Sequence, residues 1–203
     1  MKILVATNNR GKVLELARLF NIEGLELALP ADLGLKDFDV EETGQSYYEN
    51  AALKAAAFAR ASGIPALADD SGLEVDALNG EPGLYSKRYA GENATDAYRI
   101  SYLLKKLENV SQENRTARFI ALLALAAPDG TIIEHEQGIC EGAIGFTPTG
   151  NNGFGYDPIF LPSKAGNNNS MADLSNEEKD LISHRGNAAR KLAPYLRKYI
   201  QAI

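Results

Sequence analysis

The stretch TARFIALLALAAPDGTIIEHEQGICEGAIG (residues 116–145) decides the fold. Two long β-type runs meet at Pro128-Asp129-Gly130, a turn in which proline presets φ and glycine accepts a left-handed conformation. The stretch therefore reads as a hairpin. Upstream of it, strand and helix signals alternate. KILVA (2–6) reads as a buried strand, and GKVLELARLFN places Val13, Leu16, Ala17, Leu19 and Phe20 on one helical stripe. LELALP reads as a second strand closed by Pro30. Residues 46–62 repeat Tyr47, Ala51, Ala55, Phe58 and Ala59 at three- and four-residue steps, until Gly63 and Pro65 end the helix. The strand ALADD follows. This alternation predicts an α/β fold.

Between ALADD and the hairpin, GLEVDAL and SKRYAG flank the turn-rich NGEPG, and a helix is expected over 94–107. Beyond the hairpin, TPTGNNGFGYDPIF is a glycine-rich loop entering a short strand, and residues 175–201 read as mostly helical. No internal repeat or linker is visible, and GNNNS (166–170) reads as a surface loop. The expectation is a mixed α/β sheet with a long central hairpin, a single domain over residues 1–203 that could hold two lobes.

Composition narrows the function classes. A formal net charge of −6 argues against a surface built for a nucleic-acid backbone. No run approaches the ~20 apolar residues of a membrane span. MKILVATNN turns polar too early for a signal peptide and reads as an opening strand. A single cysteine, Cys140, excludes an internal disulfide and fits a reducing compartment, so a cytoplasmic protein is expected. GICEGA shows no reactive setting for that thiol, which reads as buried and structural.

Open α/β sheets bind ligands beyond the carboxyl ends of their strands, and polar motifs fall at such places. The loop Thr7-Asn8-Asn9-Arg10-Gly11-Lys12 joins the first strand to the first helix. Its N–H groups and Lys12 could cradle phosphate, although it lacks the glycine and the Ser/Thr of a Walker A loop. A plain helix cap explains the same residues. In PALADDSGLEV (65–75), Asp69 and Asp70 interrupt an apolar run, and a buried carboxylate is costly unless paired or metal-bound. Glu41 and Glu42 form a second acidic pair, and such carboxylates suit Mg²⁺ when substrate phosphates complete its shell. Each pair alone also reads as a turn or a solvated loop.

Asn50 and Lys54 share a face of helix 46–62, either aimed at phosphates or turned to solvent. In GFGYDPIF (153–160), Phe154 and Tyr156 could stack a planar ligand or fill the core. SHRGNAARKL offers Ser183, His184 and Arg185 as donors to a carbonyl-bearing ligand or as a cap and a surface charge, while His135 reads as an exposed strand residue.

Taken together and in order, ATNNRGKVLEL, EETGQSYYENAALKA, LADDSGLEVDAL, GEPGLYSKRYAG, GFGYDPIF and EEKDLISHRGNA resemble the non-canonical purine nucleoside triphosphate pyrophosphatase (inosine triphosphate pyrophosphatase) family over essentially the whole chain. The resemblance implies an elongated, two-lobed α/β homodimer with its active-site groove between the lobes. It also implies Mg²⁺-dependent hydrolysis of ITP, dITP and XTP to monophosphate and pyrophosphate. Carried over residue by residue, it gives Thr7, Asn9 and Lys12 as phosphate binders within the 7–12 loop and Lys54 as another. Glu42 and Asp70 become the metal-binding acids, with Asp70 also the proton acceptor and Asp69 supporting it. Ser71 becomes a substrate contact; Phe154, Gly155, Tyr156 and Asp157 the base-binding loop; Lys179, His184 and Arg185 the readers of the base edge.

The chain departs from the family at Asn152, where a glycine is usual before GFGYDP, although asparagine tolerates a left-handed backbone. Two alternatives stay open. One is a regulator that senses purine triphosphates without hydrolysing them, which would not need both acidic pairs. The other is the related fold that hydrolyses modified pyrimidine triphosphates, which SHR and GFGYDPIF fit less well.

Overall fold

A computed structural model describes residues 1–166 and 168–201. The first asparagine of the GNNNS patch, Asn167, lies outside the described residues, as do residues 202 and 203.

Strand β1 (Lys2–Val5) leads into α1 (Arg10–Leu19) and β2 (Glu26–Ala28). Helix α2 (Tyr47–Ser62) and β3 (Ala66–Val75) follow, then the short β4 (Pro82–Gly83) and α3 (Asp96–Lys106). The expected hairpin is β5 (Thr116–Ala126) and β6 (Ile132–Ile144); β7 (Phe160–Pro162), α4 (Asn176–Ile182) and α5 (His184–Gln201) complete the chain. Among the described residues the strands form one seven-stranded sheet in the order β2-β1-β3-β5-β6-β7, with β4 beside β3. β1 pairs in parallel with β2 and with β3, in the register Leu4↔Ala66 and Val5↔Leu67. β6 and β7 pair antiparallel, as β3 and β4 do.

The acidic pair does not end a strand, as ALADD suggested: β3 continues past Asp70 to Val75. What ends there is its parallel neighbour, because β1 stops at Val5 opposite Leu67. Beyond that point β3 pairs instead with β4, through Leu73↔Gly83. The change of partner in mid-strand explains how Asp69 and Asp70 can occupy an otherwise apolar strand.

The chain divides into two compact units, one of residues 1–70, 121–138 and 187–203, the other of residues 71–120 and 139–186. The first is layered by the two-residue side-chain period of its strands. Ile3, Val5, Leu67, Leu123 and Leu125 face Leu16 of α1, Phe20 just past its end, and Leu192 and Leu196 of α5. The intervening residues Leu4, Ala6, Ala66, Ala68, Leu122 and Ala124 face Ala51, Ala55, Phe58 and Ala59 of α2. The small residues of α2 bring it close to the sheet, and Phe58 supplies the bulk, a burial worth about 1.5–3 kcal/mol.

In the second unit, Leu73, Val75, Phe119, Cys140 and Ile144 pack with Ile100 and Leu103 of α3, and with Tyr156, Ile159, Phe160 and Met171. Buried Arg115 closes the end of α3, donating to the Leu107, Val110 and Gly145 carbonyls at 2.7, 2.9 and 3.1 Å. The expected helix over 94–107 is α3, and the helical 175–201 segment is α4 and α5, interrupted at Ser183. No helix among the described residues is long and apolar enough to cross a membrane.

Candidate active site

In the first unit, side-chain alternation along β3 sorts the two acids. Asp69 has the parity of Leu67, which packs against α1 and α5, and Asp70 that of Ala68, which packs against α2. Each meets a lysine from its own side. Lys12, in the first turn of α1, lies 3.6 Å from Asp69 Oδ2. Lys54 Nζ, from α2, is 3.1 Å from Asp70 Oδ1 and 2.7 Å from Glu42 Oε1. Both ammonium groups also donate to one oxygen, the Asp69 carbonyl, at 3.2 Å from Lys12 and 3.1 Å from Lys54. Two cations therefore converge where β1 runs out.

The Asp69 side chain is fully buried, those of Asp70, Lys54 and Lys12 are largely so, and Glu42 is partly exposed. Burial pushes the Asp70 carboxyl above the usual aspartate range and Glu42 adds to it, while Lys54 and Lys12 pull it back only in part. Burial opposes the charge on Lys54, yet Asp70 and Glu42 together outweigh it and hold that ammonium above its ordinary value.

Glu42 lies outside helix and strand, and its approach is fixed from α2. Ser46 caps α2, and buried Asn50 accepts from the Gly44 N–H at 2.8 Å. A Cβ at Gly44 would fall 2.6 Å from Asn50 Oδ1, so the loop can close on α2 only with glycine there.

The 7–12 loop is partly what the plainer reading held. Asn9 is the N-cap of α1, its Oδ1 accepting from the Lys12 N–H at 3.2 Å, and Thr7 Oγ1 accepts from the Asn9 N–H. Asn8 Nδ2 donates to the Lys36 carbonyl, and Arg10 is exposed at the helix start. Thus Thr7, Asn8 and Asn9 shape the loop, Gly11 continues the helix, and Lys12 supplies the charge.

A divalent cation can be tested against the donors present. Among the described residues no group of three or more His, Cys, Asp or Glu side chains could hold a metal ion. The cluster offers instead the oxygens of Glu42 and Asp70 around Lys54. That hard-oxygen pair fits Mg²⁺, which takes one or two carboxylates and leaves its remaining positions to water and substrate phosphate.

The second unit holds a different constellation. Phe154 is half-buried, with Lys179 Nζ 5.1 Å and the Arg185 guanidinium 5.6 Å from its ring centre. Lys179 and Asp157 form a buried pair at 2.6 Å, and the same Asp157 Oδ2 accepts from the Phe154 N–H at 2.8 Å. Buried Arg185 donates to Ser71 Oγ at 3.0 Å. The ring of His184 stacks on Phe119, with centres 4.7 Å apart. Ser71, Phe154, Gly155, Asp157, Lys179, His184 and Arg185 thus meet within one unit.

Tyr156 does not turn to the same place as Phe154. Its ring is buried in the core, and its hydroxyl donates to the Ser86 carbonyl at 3.0 Å, so one aromatic of GFGYDPIF fills the core and the other stays accessible. Asn152 has no left-handed backbone to tolerate. The positive φ angles of the loop fall on Gly150, Gly153 and Gly155, while Asn152 Nδ2 donates to the Leu174 carbonyl.

Sequence reasoning misses one supporting residue and leaves the role of a second open. Asp96 accepts from the Gly155 N–H at 2.8 Å, and Asn50 fixes the loop that carries Glu42. Thr95-Asp96 signals only a helix start in the sequence, and the spacing of Asn50 from Lys54 showed a shared face without a bond.

Fold and site define an α/β protein with a lysine–carboxylate cluster beyond a parallel strand end and a cation-flanked aromatic ring. Solved structures of the same architecture include a HAM1 protein from Coxiella burnetii, 40% identical with a TM-score of 0.85 over 98% of this chain and 99% of that one. The Ham1 protein of Staphylococcus aureus is 44% identical with a TM-score of 0.84 over 98% and 100%. Among curated relatives, the dITP/XTP pyrophosphatase of Thermus thermophilus is 50% identical over 95% of this chain and 90% of its own. That of Streptomyces avermitilis is 45% identical over 98% of both. The Ham1 family model matches residues 3–195. The chain belongs to the Ham1 family.

Proposed function

We propose that this protein hydrolyses non-canonical purine nucleoside triphosphates (ITP, dITP and XTP) to the monophosphate and pyrophosphate. The observation that carries the reading is the convergence of Lys12 and Lys54 on the Asp69 carbonyl, with Asp70 and Glu42 on the same Lys54. Phosphoryl chemistry needs positioning and charge neutralisation more than covalent help. Two buried ammonium groups beside carboxylates supply both. The curated relatives' names support the substrate class.

Glu42 and Asp70 are the residues that would hold Mg²⁺, which when bound withdraws charge from phosphate oxygens. Lys12 and Lys54 bind the outer phosphates and neutralise the leaving pyrophosphate. Asp70 accepts the proton of the water that attacks the α-phosphorus in line, a task suited to a carboxyl whose affinity for protons is raised by burial. Asp69 holds Lys12 and offers its carbonyl to both lysines. Phe154 stacks the base, while Lys179, His184 and Arg185 address its edge. Arg185 has donors only, so a 6-oxo group satisfies it and the 6-amino group of adenine opposes it.

A homodimer in the cytoplasm belongs to the same proposal. A lone buried thiol supports a reducing compartment. A turnover assay with ITP, dITP, XTP, GTP, ATP and modified pyrimidine triphosphates, scoring pyrophosphate against phosphate, tests the function. The expected result is pyrophosphate from ITP, dITP and XTP, with little turnover of ATP or GTP. Release of inorganic phosphate, or preference for pyrimidines, would overturn it.

A further inference from the structure

We propose that Asp96, in the first turn of α3, is a positioning residue that sets the Phe154 ring for the base through the hydrogen bond it accepts from the Gly155 N–H. The inference rests on the reading of Phe154 as the base-stacking ring.

Asp96 is not needed as a cap. Thr95 Oγ1 already performs that task for α3, accepting from the Tyr98 N–H at 3.2 Å. The Asp96 carboxylate is divided instead between a distant demand and a local one. Oδ2 accepts from the Gly155 N–H at 2.8 Å across 59 residues of chain, and Oδ1 pairs with Arg99. Arg99 in turn donates to the Lys87 carbonyl at 2.9 Å.

Three successive loop residues are therefore tied to three parts of the unit. The Phe154 N–H goes to Asp157, the Gly155 N–H to Asp96, and the Tyr156 hydroxyl to the Ser86 carbonyl. Gly155 is the weak point among them. Its φ is +63°, and nothing lies within 4 Å of the place a Cβ would take, so packing does not fix it. The bond to Asp96 does. A carboxylate acceptor makes that bond about twice as strong as a neutral one. Releasing it lets the loop leave the conformation that presents the ring, and affinity falls by the fraction of time spent elsewhere.

The Asp96 side chain is 45% exposed, so substitutions there are compatible with folding. Asp96→Ala should raise KM for ITP and the dissociation constant of inosine monophosphate roughly tenfold, the factor for one hydrogen bond to a charged group. Inhibition by pyrophosphate, which does not use the ring, should keep its parental constant. Asp96→Asn retains an acceptor oxygen and should recover most of the lost affinity.

A second readout needs no activity. The chain contains no tryptophan, so Phe154→Trp creates a sole reporter on the loop. In that background Asp96→Ala should raise acrylamide quenching of the indole, and Asp96→Asn should restore it. Unchanged monophosphate affinity and unchanged quenching in Asp96→Ala would overturn the proposal. So would an Asp96→Asn variant as impaired as Asp96→Ala, since the ion pair with Arg99 and not the Gly155 bond would then be responsible. If the parent protein turns over none of the triphosphates, the proposed function falls, and quenching alone still decides whether Asp96 holds the loop.

Discussion

Asp69 and Asp70 differ by one position on β3 and so by one side of the sheet, and their partners separate their tasks. Asp69 is fully buried against Lys12, whereas Asp70 faces Lys54 at the edge of the cluster. The raised carboxyl of Asp70 fixes the sign of its effect on stability. A carboxyl with a higher pKa folded than unfolded favours the fold while protonated, and that contribution is lost as pH rises through the folded value. Once ionised, the side chain therefore favours the fold less than it does when protonated. Asp70→Asn should melt no lower than the parent while turnover drops at least ~10²-fold, the typical loss with a general base. A variant with near-parental kcat would remove Asp70 from the mechanism. Lys12→Ala should weaken ITP binding and turnover together and affect inosine monophosphate, which lacks the outer phosphates, much less. Equal losses for both ligands in titration would reduce Lys12 to a support of the loop.

At the scale of elements, two neighbouring glycines make opposite predictions. Gly153 and Gly155 both have positive φ, but a Cβ at Gly153 would lie 2.1 Å from Asp157 Oδ2 while one at Gly155 meets open space. Gly153→Ala must displace Asp157 from Lys179 and the Phe154 N–H, and breaking a buried pair costs about 3–5 kcal/mol. Gly155→Ala carries only the backbone strain of a left-handed alanine, about 1–2 kcal/mol. Urea unfolding of the two variants checks the order, and equal losses would mean that Asp157 and Lys179 do not stabilise the loop.

The same elements show what the sequence made legible. Helix α2 lies where its alanine stripe put it, and the hairpin turns where Pro128-Asp129-Gly130 said, because both signals are local. β3 was cut short because Asp69, Asp70, Ser71 and Gly72 look like a turn. β5 along the other edge of β3 and the exchange of β1 for β4 keep them in the strand, and pairing is not local. Lys12, Lys54, Asp70 and Glu42 stand out in the sequence as separate candidates that the resemblance assembles into one site, whereas Asp96 acts across 59 residues on a backbone N–H and leaves no pattern to read.

Across the whole molecule, one thiol reports on the packing. Cys140 is 5% exposed, between strands and loop in the core of the second unit, and burial pushes its pKa up to about 12. At pH 8 only ~10⁻⁴ of it is thiolate, the form that reacts with alkylating agents. Native protein should therefore resist iodoacetamide at pH 8, and labelling should require opening of that core. β3, β5 and β6 each supply residues to both units, Phe119 to one core and Leu123 to another along the same strand. Opening the Cys140 core therefore disrupts strands that the first unit also needs, which predicts cooperative unfolding. In a urea series the labelling of Cys140 should rise at the midpoint where far-ultraviolet circular dichroism is lost. Labelling complete well before that midpoint would show the second unit opening alone. Rapid stoichiometric labelling without urea would contradict the burial itself. The one cysteine in the chain makes the count of labels unambiguous in either case.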